Sequence, residues 1–239
     1  MSPKIVSLIY VGLILSVFTA VLSCEIQEDR SSMKEISFPR LVLGPEGSDP
    51  ATIGYQLNHA ILNVRNLTRS LDFYNHIFGM RHMYTVQITE HFYTAYMGHS
   101  SGGRNGTGHQ TTDELIRNQA NSQGLLELLY VDIEDNFDIS PSTDVSNTFS
   151  HLGFIVPDIN EAQLRLELSN VSIYKRVGEP FPADGPVINA GVLNRSRFSQ
   201  EEFDSIIVGM TESTKGYILA ADPDGNMLEI VPQSGPNAV

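Results

Sequence analysis

The sequence predicts an α+β fold in which one pattern, a strand followed by a helix and then further strands, occurs twice. Three observations predict it. A histidine opens an apolar strand in each half, His59 in NHAILNVRN and His151 in HLGFIVPD. Each strand then runs into Asn66 or Asp158, residue types preferred as helix N-caps. Further along each half a single glutamate interrupts an otherwise apolar strand, Glu127 in LLELLY and Glu229 in MLEIVP.

Taken in order, the elements begin with a strand over 56–64 that leads to the Asn66 cap. Leu67, Leu71, Tyr74 and Phe78 recur at helical spacing until Gly79 stops the helix. Strands follow near 82–88, 91–97 and 124–131. Between the last two lies SSGGRNGTGHQTTDELIRNQANSQG, read as a Gly-rich surface loop with one helical turn. Its glycines lack phosphate-cradle spacing, and His99 and His109 are expected to be solvated rather than ligands. The second half has Asp158 as the cap, Ala162 and Leu166 on the inner helix face, a strand starting within 170–175, and DPDG at 222–225 as the turn before Glu229. Module one therefore covers 54–132 and module two 149–234, with an insertion over about 179–214 in the second. Ser199, Glu202, Phe203, Ile206 and Ile207 predict a short capped helix inside it, and the insertion reads as a substrate lid, a dimer contact or a decorated surface loop.

Ahead of the modules, residues 24–53 are polar and broken by Pro39, Gly44, Pro45, Gly47 and Pro50, a flexible N-terminal arm. Residues 1–23 read as a signal peptide, an uncharged apolar run after MSPK with small residues Val21 and Ser23 at its end. A secreted or secretory-pathway protein follows, with no stable membrane insertion once the signal is cleaved. The same run is long enough to serve as a membrane anchor through residues 5–23, which is the alternative. Sequons at Asn66, Asn105, Asn170 and Asn194 suit a secreted glycoprotein. Cys24 is the only cysteine, which excludes an intrachain disulfide. A net charge of −13 without a basic cluster excludes nucleic acid as a partner.

The glutamates carry the chemical argument. Strands as apolar as LLELLY and MLEIVP read as buried on both faces, and a lone carboxylate there costs several kcal/mol unless it finds a cation or hydrogen-bond donors. Strand alternation also places His59 with Leu57 and Ile61, and His151 with Gly153 and Ile155, so both imidazoles project from apolar strands. Two imidazoles and two carboxylates make a mixed N/O set suited to a divalent metal such as Zn²⁺ or Ni²⁺. Singly, each residue reads better as a satisfied core histidine or an edge-strand glutamate facing water; recurrence of the same pair in both halves favours a metal site.

SLDFYNHIFGM at 70–80, HLGFIVPDI at 151–159 and ADPDGNMLEIVP at 221–232 together resemble glyoxalase I (lactoylglutathione lyase) of the vicinal oxygen chelate superfamily, over about residues 55–234. The resemblance implies two βαβββ modules forming a curved sheet around a metal, with His59, Glu127, His151 and Glu229 as metal ligands. It implies a metal-dependent isomerase or lyase that moves a proton through a metal-held enediolate on a thiohemiacetal derived from a 2-oxoaldehyde. Glu229 would be the main catalytic base and Glu127 its counterpart on the opposite face. It also implies a homodimer and a small-molecule substrate, in glutathione-using relatives a glutathione adduct. A first-ligand histidine resembles the Ni²⁺-preferring bacterial forms. Phe149 and the Lys215–Gly216 pair agree with the glutathione-contact pattern, whereas Asn63, Val131 and Asn147 replace the arginine, asparagine and arginine expected there. Two alternatives remain: an enzyme of the same superfamily acting on another small molecule, as an epimerase or secondary-metabolite isomerase, and a non-catalytic small-ligand-binding protein of the same fold. Extradiol dioxygenases and fosfomycin-type transferases generally lack the fourth ligand, so Glu127 argues against both.

Overall fold

The two N-cap positions start the helices as expected. In a computed structural model that describes residues 38–45, 47, 49–101, 108–132 and 139–234, Asn66 Oδ1 accepts the Arg69 N–H at 2.9 Å and opens α1 (Leu67–Phe78). Asp158 Oδ1 accepts the N–H groups of Asn160 and Glu161 and opens α3 (Ile159–Leu168). Gly79 ends α1 with φ of 70°, a left-handed conformation that glycine adopts without strain. The segment read as a signal peptide, Cys24 and Asn105 lie outside the described residues. Among the described residues no helix is long and apolar enough to cross a membrane.

Module one contributes β1 (His59–Asn63), β2 (Arg81–Thr89), β3 (Phe92–Gly98) and β4 (Leu125–Val131), and a helix, α2 (Thr112–Asn118), lies between the last two strands. Module two contributes β5 (His151–Val156), β6 (Ile173–Lys175), β7 (Ile218–Ala221) and β8 (Met227–Pro232), with α4 (Pro186–Ala190) and α5 (Gln200–Ser213) between β6 and β7. Each module is a four-stranded sheet, ordered β1-β4-β3-β2 in one and β5-β8-β7-β6 in the other. The first and last strands of each module pair in parallel and the remaining pairs are antiparallel, so βαβββ occurs twice. Parallel pairing requires a crossover, which α1 and α3 begin.

One face of each sheet is covered by helix. Leu62, Met97, Leu126 and Leu128 pack with Tyr74 of α1, and Ile218, Ala220, Leu228 and Ile230 pack with Leu166 of α3. The modules meet through this layer, where Phe78 of α1 stacks on Phe154 of β5 with ring centroids 4.0 Å apart. A buried polar network joins them as well. Asp222 and Asp224, in the turn between β7 and β8, face α1: Tyr74 Oη donates to Asp222 Oδ2 at 2.8 Å, and Arg69 Nη2 and Ser70 Oγ donate to the two Asp224 oxygens. Asn226 and backbone N–H groups fill the remaining acceptor sites of Asp222. Burial outweighs these donors and raises the Asp222 pKa, while burial, with Asp222 beside it, keeps the Tyr74 hydroxyl protonated.

Two elements differ from the sequence expectation. The supposed surface loop with one turn carries the seven-residue α2, closed by a Thr111–Glu114 capping box, because Leu115 finds a pocket between Met83 and Leu125. The short helix of the insertion runs to fourteen residues, capped by Ser199 and Glu202 as expected, and buries Phe203 against Phe181, Val187 and Ile188. The insertion thus shares an apolar cluster with Leu219 of β7 and Met227 of β8.

Tyr74→Phe is expected to cost about 1–3 kcal/mol by leaving Asp222 one donor short, read from denaturant midpoints at constant m. A carboxyl whose folded pKa exceeds its unfolded value near 3.8 binds its proton more tightly when folded, so the stability it contributes is complete below that value and is lost as pH rises through the folded pKa. In Asp222→Asn that loss disappears from the pH dependence of unfolding. At Gly225, φ is +94° and an added Cβ would meet Pro141 Cγ at 2.8 Å, so Gly225→Ala should destabilise by about 1–3 kcal/mol in the same measurement.

Candidate metal centre

Register builds the candidate site. In the parallel pair β1–β4, Ile61 lies opposite Glu127; in β5–β8, Gly153 lies opposite Glu229. His59 and His151 are two residues before those positions and share their face, so each histidine reaches along its strand towards the glutamate of the neighbouring one. His59 Nε2 is 3.3 Å from Glu127 Oε2, and His151 Nε2 is 3.6 Å from Glu229 Oε2. The duplication read in the sequence is therefore a duplication in space.

The first pair is held from behind. Asn58 Nδ2 donates to the carbonyls of Gln119 and Ser122, which turns Asn58 Oδ1 towards His59 Nδ1 at 3.0 Å. Asn58 Oδ1 is therefore an acceptor for Nδ1–H, and Nε2, 3.3 Å from Glu127 Oε2, is the nitrogen left for a cation. Glu127 Oε1 accepts the Thr94 hydroxyl and Oε2 accepts the Tyr96 hydroxyl at 2.6 Å. Burial, and then the bond to Glu127, hold the Tyr96 hydroxyl far above the ordinary phenol range, so it stays a donor. In the second pair His151 Nδ1 lies 2.9 Å from Ser150 Oγ, and no hydrogen bond from the described residues reaches the Glu229 carboxylate. The Glu127 side chain is 12% exposed, whereas that of Glu229 retains 25%.

The four residues do not all meet. Among the described residues no three of His, Cys, Asp and Glu lie close enough to hold one ion, so a single chain brings the predicted set together as two pairs. Nor is the histidine face buried as the apolar strands suggested: Leu57, Ile61 and Ile155 on it are exposed, Ile155 at 74%. The helices α1 and α3 cover only the opposite face of each sheet, which leaves the part of this one around β1 and β5 open. His99 and His109 are exposed, as expected, and His99 Nε2 meets the Phe78 carbonyl at 2.8 Å.

Both insertions border the open faces. Leu115 of α2 packs on Leu125, which shares the Glu127 face. The cluster of α4 and α5 buries Leu219 and Met227, which share the face of Glu229 because Leu219 pairs with Glu229 across the strands. Sequence reading missed Asn58, Thr94, Tyr96 and α2 as parts of the site. Thr94 and Tyr96 alternate within β3 and the Thr111–Glu114 capping box precedes Leu115, so local signals existed, but nothing local joins them to Glu127.

The chain matches the family model for the Glyoxalase/Bleomycin resistance protein/Dioxygenase superfamily over residues 56–184, more than half of its length. It belongs to that superfamily. Lactoylglutathione lyase of Pseudomonas aeruginosa is 30% identical over 129 residues, covering 53% of this chain and 72% of the relative. Lactoylglutathione lyase of Schizosaccharomyces pombe is 28% identical over 130 residues, and that match spans 52% of this chain and 40% of the yeast protein. Among solved structures, the trypanothione-dependent glyoxalase I of Leishmania major is similar with a TM-score of 0.43 and 17% identity, covering 75% of this chain and 88% of that one. Glyoxalase I of Zea mays is similar with a TM-score of 0.42 and 18% identity, covering 73% and 43%.

In this glyoxalase-superfamily chain, Asn63 and Val131 lie four residues beyond His59 and Glu127 on the same open face, where they present no cation. Asn147 turns back on its own segment, accepting the Phe149 N–H at 2.7 Å. Asn58→Leu, which removes the acceptor at Nδ1, should shift His59 towards the Nε2–H tautomer, read from nitrogen NMR of the metal-free protein at alkaline pH.

Proposed function

We propose that two copies of the chain assemble a divalent metal site from His59 and Glu127 of one and His151 and Glu229 of the other, and use it for a proton transfer of glyoxalase type. The observation that supports this most directly is the repeated His–Glu pair, placed at one register on an open apolar face in both modules. Two ligands each about 2.1 Å from one ion, at angles of 90–110°, stand about 3.0–3.4 Å apart, close to the Nε2–Oε2 distances of 3.3 and 3.6 Å. The donors suit Zn²⁺ or Ni²⁺: with Nδ1 donating to Asn58, His59 offers Nε2, and each carboxylate keeps acceptor sites unused. An exposed apolar sheet face needs a cover, and a second copy supplies one together with the missing ligands.

A cation held there would acidify a C–H bond beside a chelated carbonyl oxygen. The substrate class we infer is the thiohemiacetal of a 2-oxoaldehyde and a thiol. Glu229, which no hydrogen bond from the described residues holds, takes the proton from the carbon bearing sulfur and returns it to the neighbouring carbon. The hydroxyl proton moves from the first oxygen to the second, and a thioester of a 2-hydroxy acid results. Glu127, fixed by two hydroxyls, presents its charge without moving. Neutral residues at 63, 131 and 147 supply no charge-assisted contacts to the two carboxylates of glutathione. That observation favours, as a second reading, the same proton transfer on an adduct of another thiol or on another small molecule. Residues 5–23 and the exposed Asn66, Asn170 and Asn194 support a secretory route with glycans at those positions.

Complementation tests the shared site. His59→Ala and His151→Ala should each be inactive, and mixing them after dissociation should recover about a quarter of wild-type activity, because half of the dimers then carry one intact site of two. A site within one chain would recover nothing. Activity is assayed on methylglyoxal and glutathione with Zn²⁺ and then Ni²⁺, and other thiols follow if glutathione fails. Protein from residue 25 onward should hold about one divalent ion per chain by elemental analysis. Glu229→Gln should keep that ion and lose turnover by about 10²–10⁴-fold.

A further inference from the structure

We propose that Thr94 and Tyr96 are positioning residues that lock Glu127, so that module one supplies a rigid, pre-formed half of the site and module two the half that moves. The proposal rests on the reading that the two His–Glu pairs hold a cation, and concerns how the chain prepares them differently.

A closed circuit of contacts surrounds the first pair. Thr94 and Tyr96 donate one hydroxyl to each Glu127 oxygen. Tyr96 stacks on Tyr84 with centroids 5.2 Å apart, and its ring meets the edge of His59 at 5.5 Å. The Tyr84 hydroxyl meets the side-chain amide of Gln119, just beyond α2, at 2.7 Å. The carbonyl of the same Gln119 accepts Asn58 Nδ2 at 2.8 Å, and Asn58 holds His59 by Nδ1. The segment after α2 therefore fixes both ligands, the glutamate through two tyrosines and the histidine through an asparagine. A carboxylate has about four acceptor sites, so two hydroxyls leave room for a cation and remove the freedom to turn.

Module two has no equivalent. The residue opposite Glu229 is Leu219, where Tyr96 stands opposite Glu127. Two residues earlier, in the place of Thr94, is Tyr217, whose carbonyl accepts Lys175 Nζ at 3.0 Å. Burial, and then the charge of Glu229 nearby, raise the Tyr217 pKa, but no described hydrogen bond joins the two. His151 leans on a serine hydroxyl, which rotates, where His59 leans on an amide fixed by two carbonyls. The same backbone register thus carries a locked carboxylate in one module and a free one in the other. A ligand already oriented loses less conformational freedom on binding, and a base must leave its resting position to carry a proton between two carbons.

The test uses Thr94→Val, Tyr96→Phe, the double variant and Thr94→Ser in the full chain after chelator treatment. Calorimetric titration with Zn²⁺ and then Ni²⁺ should show affinity about 10–100-fold weaker in the double variant, with Thr94→Ser regaining what Thr94→Val loses. A merely structural role would not distinguish serine from valine by the hydroxyl. Tyr96→Phe keeps the stacked ring, so it reads the hydroxyl alone if the double variant fails to fold. Unchanged affinity in Tyr96→Phe and Thr94→Val, or Thr94→Ser as weak as Thr94→Val, overturns the proposal. If the wild type takes up no metal, the function proposed above fails, and metal-free crystal structures decide the lock. A single Glu127 rotamer in the wild type against several in the variants supports it; one rotamer throughout overturns it.

Discussion

Parallel pairing between the first and last strand of each module is the constraint on which the site depends. In β1–β4 and β5–β8 the register sets the glutamate opposite the residue two beyond the histidine, and so puts both side chains on one face. Side chains alternate along a strand, so a slip of one residue would turn Glu127 into the layer formed by Leu62, Leu128 and Tyr74. The apolar neighbours of each glutamate specify the register, because Leu126, Leu128, Leu228 and Ile230 have to face the helices. The helix side of the protein thus determines the chemistry of the open side.

A second constraint joins the modules. Asp222 and Asp224 lie in a turn of module two but are satisfied by Tyr74, Arg69 and Ser70 of module one. Buried carboxylates are costly without donors; Asp222 takes three from its own turn and a fourth from Tyr74, whereas Asp224 finds its side-chain donors only when the modules are docked. The open sheet faces are then left outside the joint, with Ile61 and Ile155 exposed next to His59 and His151. Docking through the helix layer accounts for the separation of the pairs within one chain: the surface that unites the modules is not the one that carries the site.

Each module edges its open face with an insertion, and the two insertions have different consequences. In module one, α2 and the residues after it support Asn58 and Tyr84, and through them both members of the first pair. In module two, α4 and α5 bury Leu219 and Met227 beside Glu229 and supply it no donor among the described residues. Lys175, fully buried, donates to the carbonyls of Thr214 and Tyr217 and so ties the end of α5 to the start of β7. Duplicated strands thus carry two His–Glu pairs with different hydrogen-bonded supports.

Much of this was legible in the chain. The caps Asn66 and Asp158, the stop at Gly79, the DPDG turn and the paired His and Glu positions are local signals, and each fixed an element or a face because backbone geometry over a few residues depends on those residues alone. The length of α2 was not legible, since Leu115 commits to a helix only when Met83 and Leu125 offer it a pocket. The hydroxyls on Glu127 were invisible for the same reason, as Thr94 and Tyr96 meet it across strands more than thirty positions away in sequence. Sequence by itself determined the repeated module and which side chains share a face of their own strand, because alternation and capping act within an element. Only the tertiary structure decided that they meet as two pairs and that one pair is held while the other is free, because contacts between elements exist only once the sheets have formed.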